Sequence, residues 1–153
     1  MASTINKPQI VVIDGDCQIA GRFSSKVAKM LLNGNYIRIV NAEKVLLSGN
    51  KRAILKDYFK KLEISSVVHP KHGPFHPRSP ERILTRMIRG MIPRRKSKGV
   101  EALRRLRVYV GIPLEYISNT KKVFEDTKAS KHKSSYLSLS DVALSLGWKG
   151  TQS

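Results

Sequence analysis

Between Arg78 and Arg107 the chain carries eleven lysines and arginines against two acids, Glu81 and Glu101. Guanidinium groups fork onto phosphate oxygens in pairs and stack on bases, and ammonium groups add point charge, so the chemistry offered is phosphate binding. Arg82, Arg86 and Arg89 recur at helical spacing, and Arg94, Arg95, Lys96 and Lys98 follow Pro93 in a tight run. Arg104, Arg105 and Arg107 close the stretch. Upstream, His72, His76 and Arg78 lie in a loop with Phe75, and Arg22 and Lys26 form part of an earlier basic stripe. These fifteen basic residues, from Arg22 to Arg107, are the candidate RNA-binding set, with Phe75 as a candidate for stacking on a base. A helix that reads DNA sequence would more naturally mix Asn or Gln among its arginines; Arg82–Met91 has neither, which favours recognition of backbone and shape.

Other chemistries fit less well. Gly15 and Gly21 follow an apolar run, but five residues separate them and Arg22-Phe23 follows, so a phosphate loop is not formed. Cys17 occupies the place of the second glycine of a dinucleotide fingerprint. His69, His72 and His76 have ligand-like spacing, but prolines and cations crowd them and no nearby carboxylate completes a metal shell. Asp14 and Asp16 have no nameable nucleophile or base as partner and read as turn acids. No catalytic residue, metal or cofactor is expected.

The elements that must hold the basic groups follow from periodicity. Ile10-Val-Val-Ile13 reads as a strand buried on both sides, ending at Asp14-Gly-Asp16. A helix is expected from about Gly21 to Leu32, stopped by Asn33-Gly-Asn35, and Tyr36–Val40 as a parallel second strand. Val45–Leu47 is a short apolar piece, and Lys51 to about Leu62 is helical, with Tyr58 and Phe59 read as core. His69–Pro77, with three prolines and a glycine, is a loop. Ser79 as N-cap, Pro80 and Glu81 begin the central helix, and Pro93 ends it near Ile92. At about 100° per residue its arginines share one face, while Ile83, Leu84, Met87, Ile88 and Met91 share the other. Val100–Leu106 makes a short helix, Arg107–Val110 a strand, and Ser138 or Ser140 caps a last helix closed by Gly147 and Trp148. The fold expected is α/β, three layers α/β/α with a small, mostly parallel central sheet. Residues 1–120 would form the core domain, 121–135 a flexible basic linker, and 136–153 a short helix and tail packing back on RNA or core.

At 153 residues one domain is expected, and 29 basic against 11 acidic side chains give +18. The charge is uneven: residues 1–50 contribute +3, residues 51–110 contribute +13 and residues 111–153 contribute +2. Such a field selects a polyanion, nucleic acid ahead of an anionic membrane. The single cysteine, Cys17, rules out an intramolecular disulfide, no run is apolar enough to span a bilayer, and Met1–Pro8 lacks a secretory core. A cytoplasmic protein with neither a membrane nor a small-molecule substrate as partner is expected.

Several stretches, in order along the chain, resemble the universal large-subunit ribosomal protein family L-thirteen in its archaeal and eukaryotic cytosolic form. They are Ile13-Asp-Gly15 with Gly21-Arg22, Val40-Asn-Ala-Glu43 with Ser48-Gly49, Gly73-Pro-Phe-His76 with Arg78-Ser-Pro80, and Arg86-Met-Ile-Arg-Gly-Met-Ile-Pro93. Lys98-Gly99, Arg105-Leu-Arg-Val108, Gly111-Ile-Pro113 and Gly147-Trp-Lys149 continue the series. Departures include Arg95-Lys96 for a usual Lys-Thr and Leu114-Glu115 for prolines. The resemblance implies a non-enzymatic α/β protein that binds folded large-subunit rRNA, takes part in subunit assembly and touches neighbouring ribosomal proteins. Assembly would take place in the nucleolus if the source is eukaryotic. It also implies RNA contacts by His76, Arg78, Arg86, Arg89, Arg94, Lys98, Arg105 and Arg107. A free regulatory RNA-binding protein acting on mRNA is the alternative.

Overall fold

The computed structural model describes residues 10–129 and 135–150. Strand β1 (Ile10–Asp14) leads through helix α1 (Ala20–Leu32) to β2 (Tyr36–Val40), and β4 (Leu106–Val108) adds to the far side of β2. All three strands are parallel, in the order β1-β2-β4. Between β2 and β4 the chain makes β3 (Leu46–Ser48), α2 (Lys51–Glu63), α3 (Pro80–Gly90) and α4 (Ser97–Arg104). Strand β5 (Tyr136–Ser138) pairs antiparallel with β3 and runs into α5 (Leu139–Ser145). The chain is α/β with a small, mostly parallel sheet, as its strand–helix–strand pattern predicts.

The β-strand period of two assigns the sheet's faces. Ile13, Ile37, Ile39 and Leu106 point into one core cluster with Phe23, Val27 and Leu31 of α1 and Ile83, Leu84 and Ile88 of α3. Each large apolar side chain so enclosed contributes about 1.5–3 kcal/mol relative to exposure. Helix α1 packs against both α3 and α4, and α3 against α5. Val12 and Val40 are buried but stand outside that cluster, on the alternate positions of their strands. Ile10 is 59% exposed, so β1 is enclosed only toward its C-terminal end, where its sequence alone suggested burial throughout.

The acidic turn after β1 has a structural explanation. Asp14 Oδ1 accepts the Asp16 backbone N–H at 3.0 Å and the Asn41 side-chain amide at 2.9 Å. A Cβ on Gly15 would stand 2.8 Å from Val45 Cγ2 and 3.0 Å from the Asn41 carbonyl, so this glycine permits close approach of two segments.

Two further expectations change. Phe59 is 44% exposed and α2 has no fully buried residue; it leans on the core through Ile54, Leu55, Tyr58 and Leu62 only. Over 121–129, moreover, the expected flexible linker is tied to the fold. The Lys122 N–H donates to the Val12 carbonyl at 2.8 Å, Asp14 N–H donates to the Lys122 carbonyl at 3.1 Å, and Thr127 is buried. Phe124 meets Phe23 edge-on at 6.1 Å. Unpaired donors on the edge of β1 and an aromatic at a favourable position outweigh the polar composition of the segment. Residues 130–134 of that expectation, and the N-terminal stretch 1–9, lie outside the described residues.

Gly99 is the most closely packed of the glycines. A Cβ there would lie 2.1 Å from the Pro93 carbonyl oxygen and 2.6 Å from its carbon, both backbone. Gly99→Ala is therefore expected to lower stability by about 1–3 kcal/mol in urea unfolding. Gly21, exposed in α1 with nothing within 4 Å of an added methyl, is the control. Gly21→Ala should leave stability unchanged or raise it by about 0.4–1 kcal/mol.

Candidate nucleic-acid interface

Helix α3 sets the site because its two faces are opposite in kind. Ile83, Leu84 and Ile88 are buried in the core, which forces Arg82, Arg86 and Arg89 into solvent. Pro80 occupies the first turn with Glu81, whose charge suits the positive end of the helix. Ser79 sits at the N-cap position, but its hydroxyl turns to Glu81 Oε1 at 3.4 Å and makes no bond to the helix backbone.

The loop before α3 folds back along this exposed face. Arg86 Nη1 donates to the Phe75 carbonyl at 2.8 Å, and His76 Nε2 lies 3.0 Å from the Ile64 carbonyl. Phe75, 76% exposed, then shares an open concavity of about 460 Å3 with His76, Arg82, Arg86 and Arg89. A second concavity joins Arg86 and Arg89 to Arg94 beyond the end of the helix. A third brings Arg78 and Arg82 beside Trp148 and Lys149. The central arginines therefore form one continuous basic surface, with a bare phenyl ring on it. Arg95, Lys96 and Lys98 are exposed in the following turn and first turn of α4. The clasp of Gly99 on Pro93 brings that turn back against the end of α3. His72 is exposed in a single 3-10 turn, Pro70–His72, its ring edge-on to His69 at 5.9 Å. No group of three His, Cys, Asp or Glu side chains able to hold a metal occurs among the described residues.

Other members of the candidate set stand apart. Arg22 is exposed on α1, but Lys26 on the same helix is paired with Asp126 at 2.6 Å and lies over the Phe124 ring. The hydrogen bond from Lys26, and then its charge, hold the Asp126 carboxyl below its ordinary range. Arg105, expected to face RNA, turns inward: Nη2 donates to the Leu31 carbonyl at 3.1 Å and closes the C-terminus of α1. Arg104 and Arg107 are exposed. Arg107 is the register partner of Arg38 across β2 and β4, so two arginines stand side by side on the sheet. Arg38, which donates to the Arg105 carbonyl at 3.1 Å, is a basic residue the sequence did not single out, because only the strand register brings it to Arg107.

Comparison with known proteins places this arrangement in context. The family model described as "Ribosomal protein L13" matches residues 8–115. The chain is 43% identical over 141 residues to "Large ribosomal subunit protein uL13" of Aeropyrum pernix, covering 92% of this chain and 91% of that one. It is 42% identical over 141 residues to the protein of the same name from Archaeoglobus fulgidus, covering 91% and 88%. To that of Methanocaldococcus jannaschii it is 43% identical over 144 residues, covering 92% and 99%.

The inward turn of Arg105 separates fold from binding. Arg105→Ala is expected to cost about 1–2 kcal/mol in urea unfolding, through the lost charge-assisted bond at the end of α1. The salt dependence of RNA binding by the folded variant should not change. A shallower salt slope with unaltered stability would return Arg105 to the interface.

Proposed function

The chain belongs to the ribosomal protein L13 family, and from that premise we propose that it is a structural component of the large ribosomal subunit, binding and stabilising folded large-subunit rRNA. The observation that carries this reading is the continuous basic surface of Arg82, Arg86, Arg89 and Arg94 with Phe75 exposed beside it. Arginines spaced along a helix neutralise successive phosphates, and counterions released from the RNA supply much of the binding free energy. The Arg94–Lys98 turn extends that track, and the His72–Arg78 loop supplies groups that suit unpaired nucleotides. Residues fixed on a packed helix can stabilise one folded RNA arrangement over others, which suits a role in subunit assembly. In this reading the protein has no catalytic activity, works on cytosolic ribosomes and touches neighbouring ribosomal proteins. The chain then has one core domain, to which the Lys122–Phe124 segment and helix α5 also belong.

Replacing Arg94, Arg95, Lys96 and Lys98 together by Ala is expected to lower the slope of log affinity against log salt by about three or four. Fluorescence anisotropy with a large-subunit rRNA fragment measures it, and an unchanged slope would remove the turn from the interface. Sucrose-gradient fractionation of lysate in high salt tests the reading as a whole. Co-migration with the large subunit is the expected result; a signal confined to the light fractions would instead fit a free regulator of messages.

A further inference from the structure

A more enclosed cavity lies next to the basic surface and shares His76, Pro77 and Arg86 with the Phe75 concavity. It holds about 340 Å3 between α2, the loop before α3, α3 itself and the end of α5. Leu62, Ile83, Met87 and Leu146 give it apolar walls, with Tyr58 and Pro77 completing the enclosure. Ile83 and Leu146 are buried, whereas Lys61 and Arg86 are exposed, so the cavity is apolar in its depth and cationic at its mouth. Lys61 Nζ lies 4.9 Å from the centre of the Tyr58 ring, and His76 also lines the space. No carboxylate lines it.

We propose that this cavity receives an unpaired nucleobase of the bound RNA, a proposal that rests on the RNA-binding reading above. The volume lies at the small end of ligand cavities, about 300–1000 Å3, and suits one flat heterocycle. A base turned out of its stack needs apolar or aromatic faces for its ring and polar groups for its edge. Leu62, Met87 and Leu146 supply the first; Tyr58 and His76 carry the second. A turned-out base also brings a phosphate on either side, and Lys61 and Arg86 flank the opening where those charges must lie. Arg86 is shared with the Phe75 concavity, so the RNA strand tracked along α3 passes the mouth of the cavity without a change of course. An apolar side chain from a neighbouring protein would fill the depth but would leave the cationic mouth unanswered, which is why the nucleobase is favoured.

The methionines provide the test. Met87 lines the cavity, whereas Met30, half-buried on α1, packs against the core away from it. The full chain labelled with carbon-13 at the methionine methyls is titrated with hexa-adenylate and with an abasic ribose-phosphate oligomer of equal length. Binding of each is followed in parallel by anisotropy at low salt. The expected result is an upfield ring-current shift of the Met87 methyl with hexa-adenylate alone, Met30 staying in place. Hexa-adenylate should bind about tenfold more tightly than the abasic oligomer. Both oligomers binding with Met87 unmoved, or moving it equally, would overturn the cavity assignment and leave RNA binding by the basic surface intact. Failure of both oligomers to bind would overturn both readings. A Met87 methyl that ignores the oligomers and shifts only with a short leucine-rich peptide would assign the cavity to a protein side chain and overturn the proposal.

Discussion

Burial of one face of α3 is the constraint on which the rest of the structure depends. Ile83, Leu84 and Ile88 lock into a core shared with Phe23, Val27 and Leu31 of α1 and with Ile37 and Ile39 of the sheet. Once those side chains are fixed, the azimuth of every other residue on the helix is fixed too, and Arg82, Arg86 and Arg89 must point outward together. A flexible arm could carry the same charges, but it would lose conformational freedom on each contact. Mounting them on a packed helix removes much of that loss before the ligand arrives. The free energy of hydrophobic burial is thereby converted into the geometry of a cationic surface.

The turn after α3 is held by a different device. A proline ends the helix, and Gly99, which has no side chain, lets the first turn of α4 close on the Pro93 carbonyl. Arg94, Arg95, Lys96 and Lys98 are thereby confined to a tight bend. Arg105, a few residues on, reaches back to the end of α1, so the helix on which the turn rests is tied to the helix against which α3 packs. A basic residue is thus used as a brace within an array whose other members face solvent. Arginine suits both tasks, because its planar fork can satisfy a carbonyl in the fold or a phosphate in a ligand without changing its charge.

Local pattern made much of this legible. The β1–α1–β2 unit, the amphipathic α3 and the Ser138 cap of α5, whose hydroxyl accepts the Asp141 N–H at 3.0 Å, all follow from residues close in sequence. The choice between surface and interior for Phe59 and Arg105 was not legible, because helical spacing gives relative faces but not which face meets the core. The order of Lys121–Ala129 was hidden for a related reason. Its stabilising partners, Val12, Asp14 and Phe23, lie more than a hundred residues away, and polar composition is silent about an open sheet edge. The Arg38–Arg107 pair depended on strand register, and the Met87 cavity on how four separate segments meet.

Charge balance ties these points to a ligand. The ion pairs described, Lys26 with Asp126 and Lys128 with Glu125, both lie away from α3 and the turn that follows it. The arginines of the central surface are instead crowded beside one another, so their mutual repulsion opposes the compact state. Salt then acts in two opposite ways on one group of residues. It screens the repulsion and favours the free fold, and it fills the counterion atmosphere of a polyanion and disfavours binding. A polyanion seated on the surface relieves the same repulsion locally and without general screening. The fold tolerates an unneutralised cationic face because α3 is held from behind by its core; in the proposed function, phosphates would supply the missing charge.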